Sequence, residues 1–223
     1  MKVCASVHLV GGSDLSGPSD CLVYAVDLGD LVLIDCGTGP GYPRIRDNIR
    51  DSGLDPFHIH TLLLTHCHVD HIGAVSQVVA DVPDVRVLAH ALDCEAIESG
   101  DPVRTASSWY GTDLPAVRVT RRIEGSEETL SFSGGELQLL HTPGHTPGSI
   151  VAVLRVEGQT VLFGQDIHGP FYDEFGSDIA AWRRSMEQLL ALQADILCEG
   201  HFGVYRGKDR VREFIEGHLE ANA

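Results

Sequence analysis

Short apolar runs separated by glycine-rich turns dominate the first third of the chain. Residues 2–10 read as a strand, followed by a Gly/Ser/Pro loop over 11–20. Residues 21–28 and 31–35 flank Gly29-Asp30, a pair that favours a tight turn, and so form a hairpin. Residues 36–42 are glycine-rich, and Pro43 opens a helix that ends near Gly53. Residues 61–65 are a short apolar strand that runs straight into a histidine cluster, and the helix behind it carries Ile72, Val75, Val78 and Val79.

The middle of the chain is less regular. Residues 85–89 read as a strand and 91–98 as a helix, whereas 101–115 form a loop or lid that carries Trp109 and Tyr110. Residues 117–122, 128–132 and 136–141 read as a β-meander, and 150–156 with 159–163 as a hairpin over Gly158. Regular α/β patterning then returns. Asp178 caps a helix whose apolar face is Ile179, Trp182, Met186, Leu189 and Leu190. A strand over 196–198 ends at Glu199-Gly200-His201, and Val211, Phe214, Ile215 and Leu219 give the closing helix its buried stripe. With no linker, repeat or low-complexity tract, one domain over residues 1–223 is expected. Strand-rich blocks followed by helices predict two β-sheets covered by helices on the outside.

Composition narrows the function. At 223 residues and 43% hydrophobic, the chain can bury a core without covalent staples. Its six cysteines include no C-x-x-C pair, which excludes a cysteine zinc knuckle and argues against a disulfide framework. No run is long and apolar enough for a membrane span, and the N-terminus lacks the apolar core of a secretory signal, so a cytoplasmic protein is expected. The formal net charge of −16, uninterrupted by any Lys/Arg cluster, repels phosphate backbones. The expected partner is therefore a small-molecule substrate rather than nucleic acid or membrane, and a homo-oligomer is compatible with this composition.

The twelve histidines carry the chemistry through their spacing. In Thr65-His66-Cys67-His68-Val69-Asp70-His71, four metal-competent side chains sit between a strand and a helix. His66 and His68 can grip one ion while Asp70 and His71 turn to a second. Asp70 also stands where a helix cap would, and a lone histidine is commonly an ordinary loop or core residue. Four metal-competent side chains together outweigh those readings. Three further candidates each follow a strand: His145 in the doubly proline-stiffened His141-Thr142-Pro143-Gly144-His145-Thr146-Pro147-Gly148, Asp166 after Gly164-Gln165, and His201 after Gly200.

At these residues the chain resembles the metallo-β-lactamase superfamily over nearly its whole length. The H-x-H-x-D-H loop is specific to that family, and Asp35-Cys36-Gly37 is similar to its early Asp-x-Gly element, which implies that Asp35 is a buried support. The resemblance implies a four-layer αββα sandwich with metals at one edge. It implies two divalent ions, zinc favoured and iron or manganese compatible, with His66, His68 and His145 on the first, Asp70, His71 and His201 on the second, and Asp166 bridging. It further implies a hydrolase in which a metal-bridging hydroxide attacks an ester-like bond, a thioester or lactone in preference, with Asp70 as the catalytic carboxylate. The ligand set is similar to that of glyoxalase II, although the segment after Asp166 departs from that enzyme's form, and its added helical domain is not expected here. Antibiotic-hydrolysing members are expected to lack a carboxylate where Asp166 stands. The alternative is an oxidoreductase like the mononuclear-iron persulfide dioxygenases, which use the residues matching His66, His145 and Asp166. His168, Tyr172, Trp109 and Tyr110 are candidate substrate contacts, each equally able to pack a loop. Cys67 is expected to point away from the metals, and His8, His58, His60, His90, His141 and His218 are taken as ordinary residues.

Overall fold

The computed structural model describes residues 1–223. Two mixed β-sheets pack face to face. The first has seven strands in sequential order: β1 (Lys2–Cys4), β2 (Val7–Gly11), β3 (Val23–Asp27), β4 (Leu31–Ile34), β5 (Ile59–Leu63), β6 (Arg86–His90) and β7 (Arg121–Ile123). The second has six: β8 (Glu127–Phe132), β9 (Gly135–His141), β10 (Ile150–Val156), β11 (Gln159–Gln165), β12 (Ile196–Glu199) and β13 (Val204–Arg206), laid out as β13-β12-β11-β10-β9-β8. Helices α1 (Tyr42–Asp51), α2 (Val69–Ile72), α3 (Val75–Asp81) and α4 (Ala91–Ser99) follow strands of the first sheet, and α5 (Ile179–Ala191) and α6 (Lys208–Ala221) belong to the second.

Three apolar cores separate four layers, the αββα order the sequence predicts. Because side chains alternate across a strand, Tyr24 and Val26 of β3 face the other sheet, whereas Val23 and Ala25 face the helices. In the second sheet, Ile150, Ala152 and Leu154 meet the inter-sheet core while Val151 and Val153 meet α5 and α6. Both faces are covered, so these strands are apolar throughout rather than alternating. The helices each bury one stripe: Tyr42, Ile45 and Ile49 on α1, and Trp182, Met186 and Leu189 on α5, whose start is capped by Asp178 accepting from the Ala181 amide at 2.9 Å. No helix is long and apolar enough to cross a membrane.

The structure corrects the expected elements in four places. The first strand is broken into β1 and β2, which pair antiparallel. The expected three-stranded meander does not form. Only β7 survives of its first strand, and it lies parallel to β6 in the first sheet, while β8 and β9 pair in the second. The chain changes sheets between them, with Ile123 buried in the inter-sheet core. The helix after the histidine cluster is two helices, because the Ala74 amide turns away to bond the Gly37 carbonyl at 3.2 Å. Strand β13, too short to leave a periodic signal, was not expected at all.

Phe163 sits wholly buried between the sheets, edge-on to Tyr24 at 5.6 Å. Phe163→Ala is expected to lower unfolding free energy by about 3–5 kcal/mol, whereas Ile179→Ala, 43% exposed on α5, should stay within about 0.5 kcal/mol. Urea denaturation of both variants checks the difference, and equal losses would contradict this layering.

Candidate metal centre

The candidate ligands lie at strand ends that open on one edge of the sandwich. His66 and His68 follow β5, His145 follows β9, Asp166 follows β11 and His201 follows β12. Strands β9 and β11 both run antiparallel to β10, and β11 is parallel to β12, so their C-terminal ends share that edge. Backbone hydrogen bonds lock the two sheets together there: the Ile150 amide donates to Thr65 O at 2.9 Å and the Leu22 amide to Gly200 O at 2.7 Å.

All seven predicted residues converge, in two groups that meet at Asp166. In one, His145 Nε2 lies 2.8 Å from His68 Nδ1, and Asp166 Oδ2 lies 3.5 Å from His145 Nε2 and 3.9 Å from His66 Nε2. In the other, His71 Nε2 and His201 Nε2 are 3.4 Å apart, and Asp70 Oδ2 is 3.6 Å from the first and 3.3 Å from the second. Asp166 Oδ1 stands 3.1 Å from His71 Nε2 and 3.2 Å from His201 Nε2, near enough for attraction although not aligned as a hydrogen bond.

This donor set fits divalent cations. His66 Nε2, His68 Nε2 and Asp166 Oδ1 are buried without a hydrogen-bond partner, a condition that costs about 1–3 kcal/mol per group when nothing compensates it. The outer nitrogens of two other rings are engaged, His145 Nδ1 with Pro170 O at 2.7 Å and His71 Nδ1 with Asp35 Oδ2 at 2.6 Å. Each of these rings therefore turns Nε2 toward the centre.

The two groups differ electrically. Burial pushes the pKa of His66 and His145 down and that of His68 to about 3, so these imidazoles are neutral donors. Burial acts the same way on His71 and His201, but surrounding carboxylates outweigh it. Cys21, Asp166, Asp70 and Asp35 hold His71 well above the usual imidazole range, and Asp166 and Asp70 raise His201 to about 10. Burial likewise opposes charge on Asp166, yet His71 and His201 keep its carboxyl well below the ordinary carboxylate range. Protons thus occupy the second group where the carboxylates call for positive charge.

Several supporting residues left weaker traces in the sequence. Asp35 lies where the resemblance implies, fully buried, and accepts from Thr65 N and Thr65 Oγ1 at 2.8 Å and from Gln165 Nε2 at 2.5 Å. Asp93 on α4, an acid on an otherwise apolar helix face, joins two ligand loops by accepting from Cys67 N at 3.0 Å, Thr146 Oγ1 at 2.7 Å and Gly148 N at 2.8 Å. Glu199, an acid closing an apolar strand just as Asp35 does, accepts from His201 N at 2.7 Å, Phe202 N at 2.8 Å and His168 Nδ1 at 2.7 Å. Two glycines are required by close approach. A Cβ on Gly144 would lie 2.3 Å from Trp182 Cβ, and one on Gly200 would lie 2.5 Å from Asp166 Oδ1.

A cleft of about 180 Å³ opens over the centre. Of the candidate substrate contacts, Trp109, Tyr110 and His168 line it, while Tyr172 is not in the lining and packs its ring 5.1 Å from that of Trp109. Phe175, which left no signal in the sequence, closes the cleft wall with its ring 4.5 Å from His68. Burial, reinforced by nearby Asp70, raises the Tyr110 phenol pKa. Cys67 points away as expected, its thiol donating to Arg104 O at 3.3 Å. None of His8, His58, His60, His90, His141 and His218 lines the cleft, and His90 stacks on His141 at 3.9 Å.

Comparison with known proteins gives a consistent assignment. The family described as "Metallo-beta-lactamase superfamily" matches residues 16–201. The protein named "Probable metallo-hydrolase YqgX" of Bacillus subtilis is 33% identical over 134 residues, 60% of this chain and 60% of its own length. Matches to the first curated relatives span only 46–62% of those proteins. Among solved structures, a B3 metallo-β-lactamase described as the first with an active-site glutamic acid aligns at a TM-score of 0.78 and 26% identity, over 98% of this chain and 86% of that one. The Cronobacter sakazakii metallo-β-lactamase with a HARLDQ motif aligns at 0.82 and 20% identity, over 99% and 94%, a likeness of fold.

Asp35→Asn removes the charge that fixes the outer nitrogen of His71. Divalent-cation affinity is expected to fall by about 10–100-fold, measured by competition with a chromophoric chelator. Unchanged affinity would separate His71 from cation binding.

Proposed function

The chain belongs to the metallo-β-lactamase superfamily, and we propose that it is a binuclear metal-dependent hydrolase cleaving an ester-like bond, a thioester or lactone before a phosphodiester. The observation that carries this reading is the carboxylate of Asp166. Its Oδ2 faces His66 and His145 while its Oδ1 faces His71 and His201, so one residue serves two groups of donors. His66, His68 and His145 would hold one ion and Asp70, His71 and His201 the other. Imidazole and carboxylate donors of this kind suit zinc, with iron and manganese compatible. Bound there, the ions supply Lewis acidity and a water acidified toward neutrality.

The chain's own groups position and move the proton. Asp70 lines the cleft with Oδ2 turned to the centre, where it can accept a proton from the attacking water and pass it to the leaving group. Asp35 and the Pro170 carbonyl keep His71 and His145 from rotating. No side-chain nucleophile competes for the role. Cys67 is buried with its thiol pKa pushed well up by burial, and its sulfur faces away from the cleft.

A small substrate suits the net charge of −16. All six cysteines are free and five are buried, which supports a reducing, cytoplasmic setting. A mononuclear iron dioxygenase would need only His66, His145 and Asp166. It would leave Asp70, His71 and His201 idle although their ligand atoms gather within 4.8 Å, and this favours the binuclear hydrolase.

The test is a turnover screen over thioesters, lactones, β-lactams and phosphodiesters, with His68→Ala as control and metal content measured in parallel. Thioester or lactone turnover with two metal equivalents per chain is expected, lost on chelation and restored by zinc. Silence across the screen would overturn the hydrolase reading. One iron per chain with oxygen uptake on a persulfide would replace it. Asp70→Asn is expected to lower kcat by about 100-fold or more, with a smaller change in KM, and an unaltered kcat would remove its proton-transfer role.

A further inference from the structure

Resting on that reading, we infer that the substrate carries an uncharged ring beside its scissile bond, seated against Trp109, Tyr172 and Phe175. These three rings come from two separate loops and form one cluster. Trp109 lies 5.1 Å from Tyr172 and 4.9 Å from Phe175, and Tyr172 lies 5.5 Å from Phe175, with interplanar angles of 76°, 51° and 81°. Such edge-on and tilted contacts leave ring faces open to a further aromatic group. Phe175 is buried and sits edge-on to His68 at 4.5 Å, so the cluster is built directly onto a candidate metal-binding residue. Trp109 and Tyr172, by contrast, are 55% and 45% exposed. Adjoining large rings left half-exposed beside a cleft form a contiguous apolar surface, a mark of a binding site.

The loop that carries Trp109 is fixed at its base and not simply frayed. The Val69 amide donates to Thr105 O at 2.8 Å, Cys67 Sγ to Arg104 O at 3.3 Å, and Thr105 Oγ1 to Asp101 O at 2.6 Å. The loop is thereby attached to the segment that bears His66, His68 and Asp70. Long irregular segments anchored in this way commonly serve as substrate walls.

Charge supplies the second half of the argument. No lysine or arginine lines the cleft, and none lines the neighbouring pocket of about 130 Å³ that shares Tyr110 and His201 with it. A thiol carrier with phosphates, a glutathione carboxylate or a β-lactam carboxylate would find no guanidinium or ammonium group here. The carboxylates of Asp70, Asp166 and Asp20 lie in the cleft wall and beside it, and the positive imidazole of His201 is paired with two of them, Asp70 at 3.3 Å and Asp166 at 3.2 Å. Apolar rings with no lysine or arginine beside them select a neutral, ring-bearing ester over an anionic one of similar size.

Four thioesters test this: the N-acetylcysteamine thioesters of benzoic, acetic and succinic acid, and S-phenyl thioacetate, which puts the ring on the leaving side. At least one ring-bearing ester should exceed the acetyl and succinyl esters in kcat/KM by about tenfold. That ratio should fall by about tenfold in Trp109→Ala and in Tyr172→Ala and recover in Trp109→Phe, with circular dichroism and metal content showing each variant folded. Equal turnover of all four esters, or an unaltered ratio in both alanine variants, overturns the ring subsite and leaves the hydrolase reading standing. Should no ester be cleaved, the hydrolase reading fails separately, and the subsite is judged by ligand-observed NMR with acetophenone. Saturable binding that is lost in Trp109→Ala then supports it, and absence of binding overturns it.

Discussion

A carboxylate sealed from solvent at the end of β4 holds the site edge of this molecule together. Asp35 accepts from Thr65 at the end of β5, from His71 on α2 and from Gln165 at the end of β11, so one side chain ties two sheets and a helix to a common point. It does so from a left-handed backbone conformation, φ 58°, which costs a non-glycine residue of order 1–3 kcal/mol. Charged hydrogen bonds in a dry environment outweigh that cost. The arrangement also decides chemistry. With Nδ1 committed to Asp35, His71 has only Nε2 to offer the centre.

The same device recurs around the cleft with different partners. Asp93 reaches from α4 to the loops of His68 and His145, and Glu199 reaches from β12 to His168 and to the backbone that carries His201. Each is an acid placed where the surrounding pattern is apolar, and each accepts backbone amides that would otherwise be buried without partners. The loops that carry the donors thus owe their shape to three carboxylates rather than to regular secondary structure. Rigidity of this kind lowers the ordering cost of binding a cation.

Electrostatics then divides the centre. The histidines of the first group are neutral because burial penalises their charged form, whereas those of the second are held positive by Asp70 and Asp166. Lone pairs stand ready on one side, and carboxylates demanding positive charge stand on the other. Asp166 belongs to both, and for that reason its position matters more than that of any single histidine. Above it, the cleft has aromatic walls and neither lysine nor arginine, which shapes what can enter.

The sequence by itself determined the layered α/β fold and the identity of all seven converging residues. Period-two and period-3.6 patterning report burial directly, and a cluster such as His66-Cys67-His68-Val69-Asp70-His71 is too dense in donors to be an ordinary loop. It also marked Trp109, Tyr110, His168 and Tyr172 without saying which face of the loop each would occupy. Tertiary structure decided what depends on contacts between distant segments. It separated β7 from β8 and placed them in different sheets, broke the helix at Gly73-Ala74, and gave Asp93, Glu199 and Gln165 their roles. It also brought Phe175 from a stretch without periodicity to the wall beside His68. Hydrogen-bond partners and ring contacts that form only when the chain folds back on itself leave no trace in local spacing, so only the folded chain could assign them.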